Sequence, residues 1–486
     1  MSEPRHWREE CGVVGIAGVQ GAAELASMAL HALQHRGQES AGITVSDGHL
    51  ITTHKAMGLV ADVFDETTVK SLPGTFAIGH VRYSTSGSSN LINAQPIQVA
   101  SHRGAISLAH NGNLVNAPQL RRTMEQEGSI FSTTSDSEVI LHLLARDRAE
   151  SIPDALQNVL PRLDGAYSLV LLSGDTLIAA RDPLGFRPLC LGRFQDSYVV
   201  ASESCAFDII GARYLREVEA GEIVVIGRGE LASRRIARAE RERRCVFEHV
   251  YFSRPDSTIF GTSVERTRRR SGEILGREAP ADADLVTAVP DSSNTAALGY
   301  ARATGIPFEM ALIRNHYIGR TFISPAQQVR DMSVRIKFNP VAEVLTGRRV
   351  VVVDDSIVRG TTMRKLVKLL RQAGAEQVHL RIASPPITNP CFYGIDTPVR
   401  KELIASSHTV EEIAAYLRVD SLCYLSLAGL LEATGEGERY CNACFTGDYP
   451  VPFESEPDKA VFDRHAAGAE LILKPKPGGS PGGPGA

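Results

Sequence analysis

The sequence predicts two domains of different architecture: an α+β domain of hairpin strands with interspersed helices, followed by an α/β domain on a parallel sheet. The 486 residues are about three times the roughly 150 residues expected of one domain. From residue 11 to about residue 244, short apolar runs are separated by Gly, Asn and Asp turns. After residue 244, strand and helix patterns alternate, as they do in βαβ units.

In the first half, strand patterns occur at 76–78, 166–172, 176–180 and 198–201. A helix is predicted over 137–145, where apolar residues recur at helical spacing. Ser135 and Glu138 have the spacing of a capping box at its start. Hairpin strands with few helices between them favour α+β layering.

In the second half, the alternating elements are strands at 285–289, 350–353 and 378–383 and helices at 295–303 and 363–373. The basic run 234–244 precedes them and marks the exit from the first domain. The tail from residue 474 is rich in Pro and Gly, so we expect it to be disordered.

The composition is that of an ordinary globular protein, with 43% hydrophobic and 22% charged residues. The 52 basic and 56 acidic residues give a net charge of −4, so neither nucleic acid nor membrane is expected as a partner. No run approaches the roughly 18 apolar residues that span a bilayer. Residues 1–10 lack the apolar core of a signal peptide. We therefore expect a cytoplasmic protein whose eight cysteines stay reduced.

Cys11 comes directly before a short apolar strand. A cysteine in that setting is most often a buried packing residue. The alternative is that residues 1–10 are removed and Cys11 becomes the first residue. Its free α-amine, with a pKa of about 8, would then lie beside a thiol with a pKa of about 8.5 and can act as its base.

Three further segments carry polar residues at the ends of predicted elements. Arg82 follows an apolar strand, and its planar fork suits a carboxylate. Asn111 and Gly112 follow a predicted strand at 106–109 and offer a side-chain amide and an open backbone N–H, the parts of an oxyanion hole. Asp136 lies near a helix start. Arg82 as a solvated loop residue and Asp136 as a complement to the helix dipole remain alternatives.

Together these segments resemble the class II glutamine amidotransferases, an N-terminal-nucleophile family. The resemblance is carried by Cys-Gly-Val-Val-Gly-Ile-Ala-Gly at 11–18, Leu-Gln-His-Arg-Gly-Gln-Glu-Ser at 33–40, His-Val-Arg-Tyr-Ser-Thr at 80–85 and His-Asn-Gly-Asn at 110–113. It implies an αββα sandwich and a cysteine that attacks the side-chain amide of glutamine and releases ammonia.

The same resemblance implies the role of each matching residue. Cys11 is the nucleophile, and Asn111 with Gly112 stabilises the tetrahedral oxyanion. Arg82 binds the α-carboxylate of glutamine and Asp136 binds its α-ammonium group. Arg36 belongs to the glutamine-binding set as a supporting residue.

The stretch 350–362 places two carboxylates, Asp354 and Asp355, at the end of a buried strand. A loop with one Ser, one Gly and two Thr follows, and then an amphipathic helix. Backbone N–H groups at that helix start and the three hydroxyls can hold a phosphate dianion. The carboxylates can bind ribose hydroxyls directly or through Mg²⁺. An Asp pair in an unrelated doubly wound fold is the alternative.

This stretch resembles the signature of the type I phosphoribosyltransferases. The resemblance implies that Asp354 and Asp355 hold the ribose and Mg²⁺, and that Ser292 in the loop 289–293 contacts the metal. It also implies that the 5-phosphate of phosphoribosylpyrophosphate binds to Ser356, Ile357, Val358, Arg359, Gly360, Thr361 and Thr362. The basic segment 314–337 is either an ordinary solvated loop or a flap that closes over pyrophosphate with Tyr317 and Lys337.

Four cysteines form a possible ligand set: Cys245, Cys391, Cys441 and Cys444. By spacing alone, buried thiols without a ligand and a Cys₄ zinc site are both open. Cys190, Cys205 and Cys423 are predicted to be ordinary core or surface residues.

A glutaminase half joined to a phosphoribosyltransferase half resembles the iron–sulfur subgroup of the amidotransferases that act on phosphoribosylpyrophosphate. The resemblance implies a cleaved propeptide at 1–10 and a structural [4Fe–4S] cluster on the four cysteines. It also implies ammonia transfer to the ribose C1, the first committed step of purine synthesis. It also implies feedback inhibition by purine nucleotides and a homotetramer. The expected divisions are 1–10, 11–244, 245–450 and 451–486.

Two alternative functions account for part of the sequence. Another class II amidotransferase, such as a glucosamine-6-phosphate or asparagine synthase, lacks the Asp-Asp-Ser loop. A non-catalytic regulator that senses nucleotides would carry a helix-turn-helix module and no glutaminase motifs, and no such module is evident.

Overall fold

A computed structural model describes residues 11–83, 89–227, 229–236, 241–315, 337–397 and 399–453. The expected propeptide and the Pro- and Gly-rich tail lie outside these residues. The N-terminal half contains the elements β1 (Gly12–Ile16), α1 (Ala22–Ala32), β2 (Ser40–Ser46), β3 (Ile51–Met57), α2 (Val60–Val63), α3 (Glu66–Lys70), β4 (Phe76–Arg82), β5 (Ile97–Ser101), β6 (Gly104–Leu114), α4 (Ala117–Gln126), α5 (Ser137–Arg146), α6 (Ile152–Val159), β7 (Gly165–Ser173), β8 (Thr176–Arg181), β9 (Cys190–Phe194), β10 (Ser197–Ala201), α7 (Cys205–Ile210), β11 (Arg213–Glu217), β12 (Glu222–Ile226) and β13 (Leu231–Arg235).

These elements form four layers. One antiparallel sheet has the order β11-β9-β10-β1-β4-β2-β3 and the other has the order β13-β12-β8-β7-β6-β5. Apolar side chains such as Val13, Ile78 and Val170 fill the space between the two sheets. Helices α1 and α7 pack on the outer face of the first sheet, and α5 and α6 pack on the outer face of the second. The expected αββα sandwich is therefore confirmed.

Two local predictions in this half are wrong. Strand β6 does not end near residue 109, because its antiparallel pairing with β7 continues through Asn111, opposite Ser168, to Leu114. Polar residues end the periodic pattern in the sequence, but β7 supplies a partner strand that keeps them extended. The capping box is also absent: Glu138 accepts hydrogen bonds from the backbone of Ser132 and Thr133, at 2.8 and 2.7 Å.

The C-terminal half is an α/β unit. Its elements are β14 (Arg244–Cys245), a π-helix (Glu248–Phe252), β15 (Thr258–Ile259), β16 (Thr262–Ser263), α8 (Val264–Glu278), β17 (Leu285–Ala288), α9 (Asn294–Thr304), β18 (Leu312–Arg314), β19 (Phe338–Pro340), α10 (Ala342–Leu345), β20 (Arg349–Asp354), α11 (Thr361–Gln372), β21 (Gln377–Ile382), α12 (Val410–Leu417), β22 (Ser421–Tyr424), α13 (Leu427–Thr434), β23 (Tyr440–Cys441) and α14 (Ala443–Thr446).

The main sheet of this half is parallel, with the order β17-β20-β21-β22. Helices α8 and α9 cover one face, and α11 and α12 cover the other. Burial on both faces explains why β20 is an uninterrupted run of valines. The predicted alternation of strand and helix is confirmed, and the sheet directs the loops after β17 and β20 to the same edge. Within the described ranges, none of the helices combines the length and apolar content that crossing a bilayer requires.

Helices α8 and α9 approach each other closely at two glycines. A Cβ atom on Gly272 would collide with the carbonyl oxygen of Ala296, and one on Gly299 would collide with the carbonyl oxygen of Arg269. Backbone atoms cannot rotate away as a side chain can, so the crossing requires glycine at both positions.

We expect Gly272→Ala to lower the free energy of unfolding by about 2 kcal/mol, because the collision outweighs the helix preference of alanine. Urea denaturation followed by circular dichroism measures this change. Arg270→Ala, on the exposed side of α8, is the matched control and should shift the free energy by less than about 0.5 kcal/mol. Equal stability of the two variants would contradict close packing at the crossing.

Candidate active sites

Cys11 and Arg82 lie side by side at the edge of the first sheet. The pairing of Gly12 with Val81 continues to bring the residue before β1 next to the last residue of β4. The Cys11 thiol donates to the carbonyl oxygen of Tyr83 at 3.4 Å. Both Cys11 and Arg82 are buried, with 6% and 3% of their surfaces exposed. Two motifs separated by 70 residues in the sequence therefore meet at one point.

Arg36 forms a hydrogen bond with the backbone of Cys11. Its Nε donates to the Cys11 carbonyl oxygen at 3.1 Å, and its terminal nitrogens donate to Glu203 at 2.6 Å and to Glu248 at 2.7 and 3.0 Å. All three charged side chains are fully buried. Burial opposes the charged form of Glu203, but the charges of His35 and Arg36 lower its pKa to about 2. The Arg36 guanidinium therefore donates hydrogen bonds to three groups of the protein: the Cys11 carbonyl and the carboxylates of Glu203 and Glu248.

Asn111 presents a buried donor within strand β6. The residue is 1% exposed, and its Nδ2 has no hydrogen-bond partner among the described residues. Buried donors without a partner are rare in folded proteins. The neighbouring Gly112 has φ +147°, which other residues rarely adopt. His80 of β4 contacts the His110 carbonyl oxygen at 3.1 Å, so this part of β6 faces the strand that ends in Arg82.

Asp136 contacts strand β6. Its Oδ2 accepts from the backbone N–H of Leu114 at 2.9 Å, and the residue is 5% exposed. Asp136 occupies the N-cap position of α5, yet its side chain makes no capping hydrogen bond. The hydrogen bond to β6, and not a capping contact with α5, therefore sets the orientation of the Asp136 carboxylate.

In the C-terminal half, the loops after two neighbouring parallel strands meet at a pair of carboxylates. Ser293 donates to Asp354 at 3.0 Å, and Ser292 donates to Asp355 at 2.5 Å. Burial raises the pKa of Asp354 well above its usual range, and the Asp355 charge raises it further. Burial also raises the pKa of Asp355, against the hydrogen bonds from Ser292 and Ser356. A divalent cation beside these two carboxyl groups would favour their ionised forms, and carboxylate oxygens are ligands that such a cation accepts.

The loop 356–362 connects these carboxylates to α11. Ile357 and Val358 are buried, so their side chains belong to the core and their backbone groups alone are available to a ligand. Arg359 pairs with Glu402 through its Nε at 3.1 Å. Gly360 has φ +71°, and the helix begins directly afterwards at Thr361. Backbone N–H groups and the hydroxyls of Ser356, Thr361 and Thr362 are what this loop offers to an anion.

The expected flap is only partly described. Strands β18 and β19 form an antiparallel pair at its base, and Arg314 contacts Asp291 at 2.8 Å. Lys337 is exposed just before β19. Tyr317 and residues 316–336 lie outside the described residues.

The four predicted cysteine ligands come together where the two halves meet. Cys245 of β14 lies opposite Cys441 of β23 in a parallel pair, and the Cys391 thiol accepts from the Tyr393 N–H at 3.3 Å. Burial raises the pKa of Cys441 to about 12. Burial also raises that of Cys444, and the charges of the other three thiols raise it further. All eight cysteines are free, and in the described chain no three His, Cys, Asp or Glu side chains are close enough to hold one metal ion.

Sequence reasoning missed the buried charges at the junction. Arg187 donates to the Tyr393 carbonyl oxygen at 2.9 and 2.7 Å and approaches Glu248 at 3.4 Å. Arg268 donates to the carbonyl oxygens of His249 and Tyr251 at 2.7 and 2.8 Å. The one available signal was a charged residue within an apolar run, as at Glu248 after Val-Phe.

Comparisons with known proteins agree with the two halves. A glutamine amidotransferase domain model matches residues 80–208, and a phosphoribosyl transferase domain model matches residues 266–383. The amidophosphoribosyltransferase of Bacillus subtilis is 50% identical over 93% of this chain and 96% of its own. The chain belongs to the amidophosphoribosyltransferase family.

Two solved structures are also similar to this chain in their three-dimensional fold. One, described as the allosteric regulatory enzyme of purine biosynthesis, has a TM-score of 0.89 and 49% identity over 92% of this chain and 98% of its own. The other is the glutamine phosphoribosylpyrophosphate amidotransferase of B. subtilis in complex with ADP and GMP. It has a TM-score of 0.88 and 49% identity over 92% of this chain and 99% of its own. Amidophosphoribosyltransferases are transferases of purine biosynthesis, and the αββα and α/β halves are their two domains.

The low pKa of Glu203 predicts a specific pH dependence of stability. A carboxylate with a folded pKa of about 2 against its ordinary 4.5 stabilises the protein above pH 4.5, and this contribution declines as the pH falls toward 2. Between pH 5.5 and pH 3, the wild-type chain should lose about 2 kcal/mol more unfolding free energy than Glu203→Gln. Urea denaturation at a series of pH values measures the difference. Parallel pH profiles would show that folding does not lower the pKa of Glu203.

Proposed function

We propose that this amidophosphoribosyltransferase hydrolyses glutamine with Cys11 as its nucleophile, after removal of residues 1–10. The proposal depends above all on one observation, the buried and unpartnered Nδ2 of Asn111 on the strand facing the sheet edge that holds Cys11 and Arg82. A buried donor that has no partner in the described part of the chain is suited to an oxygen that acquires negative charge during the reaction.

In this proposal, the new α-amine of Cys11 accepts the thiol proton, and the sulfur bonds to the side-chain amide carbon of glutamine. Asn111 Nδ2 and the Gly112 N–H donate to the oxyanion of the tetrahedral intermediate. The carbon–nitrogen bond then breaks, ammonia leaves with the transferred proton, and a glutamyl thioester remains. Water attacks the thioester, which releases glutamate and restores the thiol.

The substrate is oriented by opposite charges at its α-carbon. Arg82 binds the α-carboxylate and Asp136 binds the α-ammonium group. Asp136 keeps one oxygen on the Leu114 N–H, which fixes the direction of its carboxylate. Arg36 acts through the Cys11 carbonyl oxygen and does not touch the substrate, since Glu203 and Glu248 engage its terminal nitrogens.

The ammonia is used at the second site, where it replaces pyrophosphate at C1 of phosphoribosylpyrophosphate. The loop 356–362 binds the 5-phosphate, and Asp354 and Asp355 hold the ribose hydroxyls. The same two carboxylates with Ser292 would hold Mg²⁺. When bound, Mg²⁺ neutralises charge on the departing pyrophosphate. Tyr317 and Lys337 belong to a flap that excludes water, which would otherwise compete with ammonia.

We propose further that Cys245, Cys391, Cys441 and Cys444 bind a [4Fe–4S] cluster with a structural role. In a cubane cluster each thiolate binds its own iron, so the four sulfurs need not converge on one point as they do around zinc. The Tyr393 N–H that donates to Cys391 would also stabilise a thiolate.

Purine nucleotides as feedback inhibitors are supported by the ADP and GMP bound to the B. subtilis structure. A homotetrameric, cytoplasmic enzyme is the accompanying expectation.

Cys11→Ala should abolish formation of phosphoribosylamine from glutamine and leave formation from ammonia unchanged, because the second site uses ammonia from either source. Asn111→Ala should lower the kcat of glutamine hydrolysis about 100-fold, as expected when one oxyanion donor is lost. Assays with each nitrogen source measure both effects. If Cys11→Ala loses both activities or neither, the two-site proposal fails.

The purified protein should begin at Cys11 and contain about four iron and four sulfide per chain. N-terminal sequencing and metal analysis measure these quantities together. Cys444→Ser should lose the iron, whereas Cys423→Ser, outside the ligand set, should keep it. Stoichiometric zinc, or an intact leader on active protein, would contradict the assignment.

A further inference from the structure

Residues 392–394 of the C-terminal half lie directly against the strand that carries Asn111 and Gly112. The side-chain Nδ2 of Asn113 donates to the Phe392 carbonyl oxygen at 2.8 Å. A Cβ atom built on Gly394 would lie 3.0 Å from both the Cα and the carbonyl carbon of Gly112. Gly394 has φ +110°. Any side chain at this position would therefore be strained and would press on the backbone of the proposed oxyanion hole.

A second set of contacts connects the same segment to Cys11. The buried Arg187 donates twice to the Tyr393 carbonyl oxygen and also contacts Glu248. Glu248 holds Arg36, and Arg36 donates to the Cys11 carbonyl oxygen. The segment thus reaches the oxyanion strand by direct packing and the nucleophile through a chain of buried charges.

We propose that residues 392–394 are a positioning element for glutamine hydrolysis, with Gly394 setting the place of Gly112 and Arg187 linking Tyr393 to the backbone of Cys11. The inference rests on the proposed roles of Cys11 and Gly112. None of the three residues touches glutamine. Their effect is on the distance between the nucleophile and the oxyanion donors, where an error of about 1 Å can cost a factor of roughly 100 in rate.

The test is Gly394→Ala in the full-length enzyme. We expect the kcat of glutamine hydrolysis to fall about tenfold or more, because the added methyl group displaces Gly112 from the oxyanion. The KM for glutamine should stay the same, since Arg82 and Asp136 are not moved. Phosphoribosylamine formation from ammonia should also stay the same. This split between kcat and KM, with one nitrogen source affected and not the other, separates positioning from general damage.

Gly435→Ala is the matched control. Gly435 also has a positive φ, +81°, and lies in the same half, but a Cβ atom there would meet nothing within 4 Å. Its kinetics with both nitrogen sources should equal those of the wild-type enzyme.

A second variant keeps the inference testable if Gly394→Ala does not fold. Asn113→Ala removes the hydrogen bond to the Phe392 carbonyl oxygen and introduces no collision. It should lower the kcat for glutamine in the same way but by a smaller factor. In the double variant, the combined loss should be smaller than the product of the two single losses, because both substitutions disturb the packing of the same segment, 392–394, against β6.

Unchanged glutamine hydrolysis in Gly394→Ala, or an equal loss of the ammonia-dependent reaction, would overturn the inference. Cys11→Ala, measured in parallel, separates this failure from that of the proposed function. If Cys11→Ala loses glutamine hydrolysis as expected while Gly394→Ala and Asn113→Ala do not, the inference alone is wrong. If Cys11→Ala retains glutamine hydrolysis, both fall.

Discussion

The buried contact between Arg36 and the two glutamates Glu203 and Glu248 is the interaction on which the rest of the structure depends. The Arg36 guanidinium contacts Cys11, which precedes β1, Glu203 in the loop after β10, and Glu248, the first residue of the π-helix that follows β14. Removing one partner from such a buried set typically costs about 3–5 kcal/mol, because a charge is left without compensation. The arrangement therefore fixes the carbonyl of Cys11 and joins the two halves with the same group.

The two candidate sites differ in how their charged groups are paired. Near Cys11, the buried Arg36 is paired with Glu203 and Glu248, and the neutral donor Asn111 Nδ2 has no partner among the described residues. At the second site, Asp354 and Asp355 are adjacent, and burial raises the pKa of both carboxyl groups, while the charge of Asp355 raises that of Asp354 further. The buried charges of the first site are therefore paired within the protein, whereas the two carboxyl groups of the second site have like charge when ionised.

The sequence predicted contiguous features well. The stretch 350–362 was identified because a buried strand, two carboxylates and a helix start follow each other directly, and β20 and α11 lie where this order requires. The errors came where a neighbour in space overrides local pattern. Strand β6 continues through polar residues because β7 pairs with it, and Glu138 binds the preceding turn instead of capping α5.

By itself, then, the sequence determined which chemical groups the protein carries and on which local elements they lie, because strand, turn and helix signals act over a few residues. Only the tertiary structure decided the partners of the buried charges and the contact of Gly394 with Gly112. Arg36, Arg187, Glu203 and Glu248 are scattered over more than 200 residues, and the segment that packs against Gly112 comes from the other half. Hydrophobic periodicity predicts which face of a helix or strand is buried, but it does not predict which distant polar atom a buried polar side chain will contact.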